Sequence, residues 1–75
     1  MELLIFGSLT DIIGKNSLVL EAPNNTEQLK KSLLEQYPGL AQAHYFLAIN
    51  KIMVHDNQPL QEGDVVALMP AFSGG

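Results

Sequence analysis

The stretch Val65-Val66-Ala67-Leu68-Met69, closed by Pro70, decides the fold. An unbroken apolar run of that length, bounded by a turn and a proline, is too short for a buried helix and suits a buried strand. Its counterpart is Glu2-Leu3-Leu4-Ile5-Phe6, closed by Gly7. These are the two most apolar runs, and they lie at opposite ends of the chain. Central strands carry such runs, so the first and last strands are expected to pair in parallel at the middle of one sheet.

A parallel pair needs a crossover. Thr26 to Tyr37 supplies it as a helix: Leu29, Leu33, Leu34 and Tyr37 form one apolar stripe, and Lys30, Lys31, Glu35 and Gln36 take the outer face. Asn25 or Thr26 can cap its start, Glu27 suits the positive end of the helix dipole, and Pro38-Gly39 stops it. Ser8 to Asn16 reads as a loop holding one helical turn, with Ile12 and Ile13 inward and Gly14 as its stop. Ser17 to Glu21 reads as a strand closed by Pro23-Asn24-Asn25, and Leu40 to Tyr45 as either a loose helical turn or a loop. Phe46 to Asn50 is a strand, which Lys51 to Val54 continue after a turn. His55 to Pro59 has turn chemistry, and Leu60 to Asp64 is a tight turn in which Gly63 supplies a backbone angle.

One helix across a mixed sheet of four or five strands is a two-layer α+β fold, the β-grasp or ubiquitin-like arrangement. Residues 1–69 form the body and 70–75 an extended tail. Strand residues alternate faces, so Leu4 and Phe6 oppose Leu3 and Ile5. The helix covers one face only. Phe6 and Met69 are placed on the other, which keeps apolar residues for a partner.

Composition agrees. The chain has 75 residues, 47% hydrophobic and 16% charged, with no cysteine and a net charge of -4. A chain this short buries only about 60–65% of the surface its unfolded form exposes. It is too apolar and too sparsely charged for intrinsic disorder. Without cysteine there is no disulfide and no thiolate metal site. With no arginine and no basic run, nucleic acid is a poor partner. No apolar run approaches the ~20 residues of a membrane span, and the start lacks the basic region of a secretory signal. A cytoplasmic protein is expected.

Internal catalysis finds few candidates. His44 and His55 do not stand at metal-ligand spacing, Ser73 has no nucleophile elbow around it, and Asp56, Glu62 and Asp64 sit in turns as solvated carboxylates. No metal is expected. The distinctive group is the terminal carboxylate after Gly74-Gly75. Two residues without Cβ can thread a narrow channel. The six residues after Met69 reach about 20 Å when extended. The carboxylate could therefore enter another protein's active site, attack the α-phosphate of ATP and yield an acyl-adenylate open to sulfur.

Over essentially its whole length the sequence resembles the MoaD-like family, the small, sulfur-carrying subunits of molybdopterin synthase. The likeness is carried by Leu4-Ile5-Phe6-Gly7, by Ile12-Ile13-Gly14, by the helix ending before Pro38 and by Leu47-Ala48-Ile49-Asn50. Most specific is the ending Pro59-Leu60-Gln61-Glu62-Gly63-Asp64-Val65-Val66-Ala67-Leu68-Met69-Pro70-Ala71-Phe72-Ser73-Gly74-Gly75. The resemblance implies that an ATP-using, ubiquitin-activating-type enzyme adenylates Gly75 and that a sulfurtransferase system converts the adenylate to a thiocarboxylate. The tail then enters the large synthase subunit, which builds the dithiolene from cyclic pyranopterin monophosphate, in an assembly of two small and two large subunits. The small subunit binds no cofactor of its own, and Gly74 permits close approach. The family's apolar docking surface maps onto Phe6, Met53 and Met69, with Leu68 and Phe72 as neighbours. The chain departs from the family pattern at Thr10-Asp11, where Arg-Glu is common, at Pro70-Ala71 for the usual Pro-Pro, and at Met69 for a docking aromatic. A thiazole-pathway sulfur carrier shares the fold and tail. A ubiquitin-like modifier would instead join Gly75 to target lysines. A binding module with an incidental Gly-Gly is the remaining reading.

Overall fold

The computed structural model describes residues 1–71. Five strands form one sheet: β1 (Glu2–Ile5), β2 (Ser17–Val19), β3 (Tyr45–Ile49), β4 (Ile52–Val54) and β5 (Val65–Pro70). Their order across the sheet is β2-β1-β5-β3-β4. The two apolar end runs pair as expected, β1 parallel to β5 with Leu3 opposite Val66 and Ile5 opposite Leu68. The other pairs are antiparallel. The arrangement is a β-grasp, with one main helix, α2 (Thr26–Gln36), packed on the sheet.

Side-chain alternation sets the layers. Leu3, Ile5, Leu47, Val66 and Leu68 point toward Leu29 and Leu33 of α2, and Leu9, Ile13, Leu40 and Leu60 close the core. The turn after β1 becomes the short helix α1 (Leu9–Ile13), ended by Gly14 in a left-handed conformation. Asn25 caps α2 by accepting from the Gln28 N–H. Thr26 is buried instead and exchanges hydrogen bonds with Gln58 and Asn57. Leu34, expected in the apolar stripe, is exposed. In so small a domain only a narrow face of α2 meets the sheet, and residues 29 and 33 fill it. The Leu40–Tyr45 region resolves into a 3-10 turn over Pro38–Gln42, with Tyr45 already in β3. The strand expected over Ser17–Glu21 is shorter, and β5 runs one residue further than expected, through Pro70.

Two tethers fix the last strand. At its start, the left-handed pair Asn50 and Lys51 turns β3 into β4, and the Asn50 amide donates to Asp64 while its oxygen accepts from the Val65 N–H. At its end, the Ala71 N–H donates to the His44 carbonyl at 3.0 Å, carrying the pairing beyond Pro70.

Candidate functional site: the outer sheet face and the root of the tail

The face turned away from α2 is apolar across the central strands. Phe46 stands opposite Met69, Ala48 opposite both Ala67 and Met53, and Leu4 opposite Ala67. Phe6 follows β1, and its N–H donates to the Leu68 carbonyl, which keeps it in line with the sheet. Phe6 (48% exposed), Phe46 and Met53 lie open to solvent. The alternation places Phe6 and Met69 on this face, as expected, and Met53 with them.

Two hollows lie on this face. One, of 580 Å³, is lined by Phe6, Gly7, Phe46, Met53, Met69 and Pro70. The other, of 450 Å³, is lined by Leu4, Phe6, Ala48, Lys51, Ala67 and Met69 among others. Phe6 and Met69 border both and so separate them. Such a relief accepts apolar side chains of a partner on either side of the two residues. Phe46 escaped the sequence reading; its alternation with buried Leu47 was the available signal. The His55 ring stands edge-on to Phe46 at 6.3 Å and borders the patch.

Leu68 requires a correction. It is 0% exposed and sits in the core between Ile5 and Leu47 of the neighbouring strands, so it cannot take part in docking. Neighbours in a strand cannot both face a partner, and Met69 is the one that does. Phe72, Ser73, Gly74 and Gly75 lie outside the described residues.

The tail leaves the body at a defined point. Gly7 has φ +59°, and a Cβ there would stand 2.7 Å from Pro70 Cγ, so the turn after β1 nests against the end of β5 only because this residue is glycine. On the other side of Pro70 a third hollow, of 650 Å³, is lined by Ser8, Ile12, Ala43, His44 and Ala71 among others. The tail root is thus accessible from both sides, and sequence reasoning did not foresee this third hollow.

Charge is sparse here. Among the described residues no group of three or more histidines or acids is placed to hold a metal. Burial pushes the Tyr45 hydroxyl above its ordinary value. The Glu62 carboxylate is held below its ordinary value, first by the Ala22 N–H and then by the Met1 ammonium at 3.3 Å. Both groups serve the fold. No pairing of nucleophile with base appears among the described residues, and the arrangement suits docking and presentation of the chain end. Among the described residues no helix is long and apolar enough to cross a membrane.

Residues 3–75 match the model of the ThiS family. The chain belongs to that family. It is 30% identical to a molybdopterin synthase sulfur carrier subunit of Caenorhabditis briggsae over 81 aligned positions, covering 100% of this chain and 96% of the relative. A protein of the same description from Caenorhabditis elegans is 28% identical with the same coverage. Among solved structures, SAMP1 from Haloferax volcanii superposes with a TM-score of 0.78 at 20% identity, covering 99% of this chain and 97% of that one, which supports the fold alone. A complex of subunits 1 and 2 of molybdopterin-converting factor from Helicobacter pylori contains a chain matching with a TM-score of 0.70 at 27% identity, covering 99% and 96%. Family membership therefore accords with the resemblance read from the Gly-Gly ending.

Proposed function

We propose that this ThiS-family protein is the sulfur-carrying small subunit of molybdopterin synthase. The observation that carries the reading is the adjacency of an apolar, helix-free sheet face to the root of a tail ending in Gly74-Gly75. A large subunit packs on Phe6, Phe46, Met53 and Met69. Only four residues follow Ala71, and four extended residues span at most about 14 Å. Delivery from Gly75 therefore asks that the partner's reaction centre lie within that distance of Ala71, which makes close docking part of the proposal.

The chemistry resides in the terminal carboxylate. An oxygen of the Gly75 carboxylate attacks the α-phosphorus of ATP in an activating enzyme, and pyrophosphate leaves. Sulfur at the sulfide level, from a sulfurtransferase system, attacks the acyl carbon and displaces AMP, leaving a thiocarboxylate. In the large subunit the thiocarboxylate sulfur attacks a carbon of cyclic pyranopterin monophosphate and displaces an oxygen substituent, and water then cleaves the acyl–sulfur bond, leaving the thiolate on the pterin and the carboxylate on Gly75. The tail's lack of Cβ atoms at its tip admits it to narrow channels in both partners. ATP is used by the activating enzyme and is not held by this chain.

The test is an intact-mass measurement after incubation with ATP, an activating enzyme and a sulfur donor. A C-terminal oxygen-to-sulfur exchange is expected, followed by discharge on addition of large subunit and pyranopterin. Deleting Gly75 should abolish the exchange and leave the melting curve unchanged. No exchange with competent partners would refute the carrier role. Discharge only to a thiazole-forming enzyme, or isopeptide-linked adducts on lysines, would assign the same carboxyl chemistry to a different pathway.

A further inference from the structure

We infer that β2 is a self-recognition edge, along which two copies of this chain pair antiparallel about a two-fold axis at Leu18. The inference goes beyond the carrier role and is independent of it.

β2 lies at one end of the sheet, with β1 on one side and, among the described residues, no strand on the other. Met1 and Leu20 exchange both of their backbone hydrogen bonds, and Ile5 donates to the Asn16 carbonyl. Bonding alternates along an antiparallel pair, so residues 16, 18 and 20 bond toward β1 and Ser17 and Val19 turn their backbone groups outward, with Lys15 and Glu21 two residues further on, beyond the strand's ends. An edge of this kind is a template for another strand. Its protection is its shortness and the exposed charges just beyond its two ends, yet Val19, next to its centre, is an 87% exposed valine. At the far end of the sheet, β4 turns outward only Met53 of its three residues.

The edge is complementary to itself. An axis at Leu18 sets Ser17 opposite Val19, and Lys15 opposite Glu21, so every outward residue meets another outward residue. The charges fit twice, because the edge begins with an exposed base and ends with an exposed acid, and reversing one copy brings unlike charges together. Directly opposed unlike charges stabilise a strand pair, and like charges oppose it. The two Leu18 side chains meet across the axis on the α2 side. There each faces a 370 Å³ groove that Leu18 and Leu20 share with Pro23, Leu33 and Tyr37. An extended peptide of uniform charge would gain the backbone bonds but not both charge pairs, which favours a second copy as occupant. β1 separates β2 from β5, so the pairing leaves the tail root of each copy open. Three-residue strands make a small contact, and the association is weak and concentration-dependent.

The experiment is amide hydrogen exchange on the full chain over a dilution series, with sedimentation on the same samples. Outward N–H groups of Ser17 and Val19 should exchange freely when dilute and slow at high concentration, with the inward Leu18 amide unaffected. Lys15→Glu and Glu21→Lys change only exposed side chains and should each weaken self-association on the order of tenfold, by setting like charges opposite each other twice. The two single variants mixed together, and the double variant alone, should recover it. Outward amides that stay unprotected at millimolar concentration would overturn the inference. So would self-association that both single variants leave unchanged, since that would place the contact on the Phe6–Met69 face.

Discussion

Leu68 and Met69 are adjacent in β5 and should fail in opposite ways. Leu68 is fully buried, and truncating a buried leucine to alanine costs about 2–5 kcal/mol. A domain of 75 residues has a total stability of only about 4–11 kcal/mol. Leu68→Ala should therefore lower Tm by roughly 8–40 °C, at about 4–8 °C per kcal/mol for this size, which at the upper end leaves the domain largely unfolded at warm temperatures. Met69 borders both hollows of the outer face, and a lysine there can extend its ammonium into water. Met69→Lys should shift Tm by only a few degrees. Its effect falls on the partner: a methionine buried at an interface contributes about 1.5–3 kcal/mol, so binding to the large subunit should weaken by roughly 10–100-fold. Thermal melts followed by circular dichroism and titration calorimetry separate the two. Met69→Lys unfolding the domain as Leu68→Ala does would refute the assignment of faces, as would Leu68→Ala abolishing binding with an unchanged Tm.

Other consequences are equally open to measurement. Asn57 Oδ1 accepts from the Glu27 N–H at 3.0 Å and from the Thr26 hydroxyl at 3.2 Å, so Asn57→Ala should cost about 1–2 kcal/mol in urea denaturation, comparable to losing a helix cap. Gly7→Ala should destabilise by about 1 kcal/mol or more through its positive φ and its clash with Pro70; adding Pro70→Ala should recover the part due to the clash, read as the midpoint of the same urea curves. Glu62 has a folded pKa lowered from its ordinary 4.5. Its contribution is fully present above that value and is lost as the pH falls through the lowered one. Melts across the acid range should show wild type and Glu62→Gln differing near neutrality and converging in acid.

The fold was legible because its strongest signals are local. Val65–Met69 and Glu2–Phe6 are apolar on both faces, and only central strands of a sheet carry such runs. Asn25 before the α2 stripe, and Pro38-Gly39 after it, marked both helix ends within a residue. The site was half legible. Phe6 and Met69 follow from alternation, and so does Phe46 once Leu47 is taken as core; that Phe46 stands opposite Met69 needed the register between β3 and β5, which is a long-range property. Leu68 was drawn into the docking set by its position next to Met69, although the period of two forbids it. Leu34 shows the limit of a helical stripe, which gives the direction of the core but not how wide a face the sheet can cover. The hollow behind Pro70 could not be read at all, since it joins α1, the 3-10 turn and the end of β5.

The sheet order gives β5 a significance for synthesis and turnover. Among the described residues, the β1–β2 pair is hydrogen-bonded to the β3–β4 pair only through it. During translation the first four strands are made before the one that joins them, so the two halves must wait with apolar edges unsatisfied, and long-range parallel pairing of this kind closes late. A protease that removes β5 would leave two unconnected strand pairs, each below the size that is stable alone in water. The segment that follows Ala71 is thus rooted in the keystone of the sheet, and it is offered in a folded context only after the whole domain has closed.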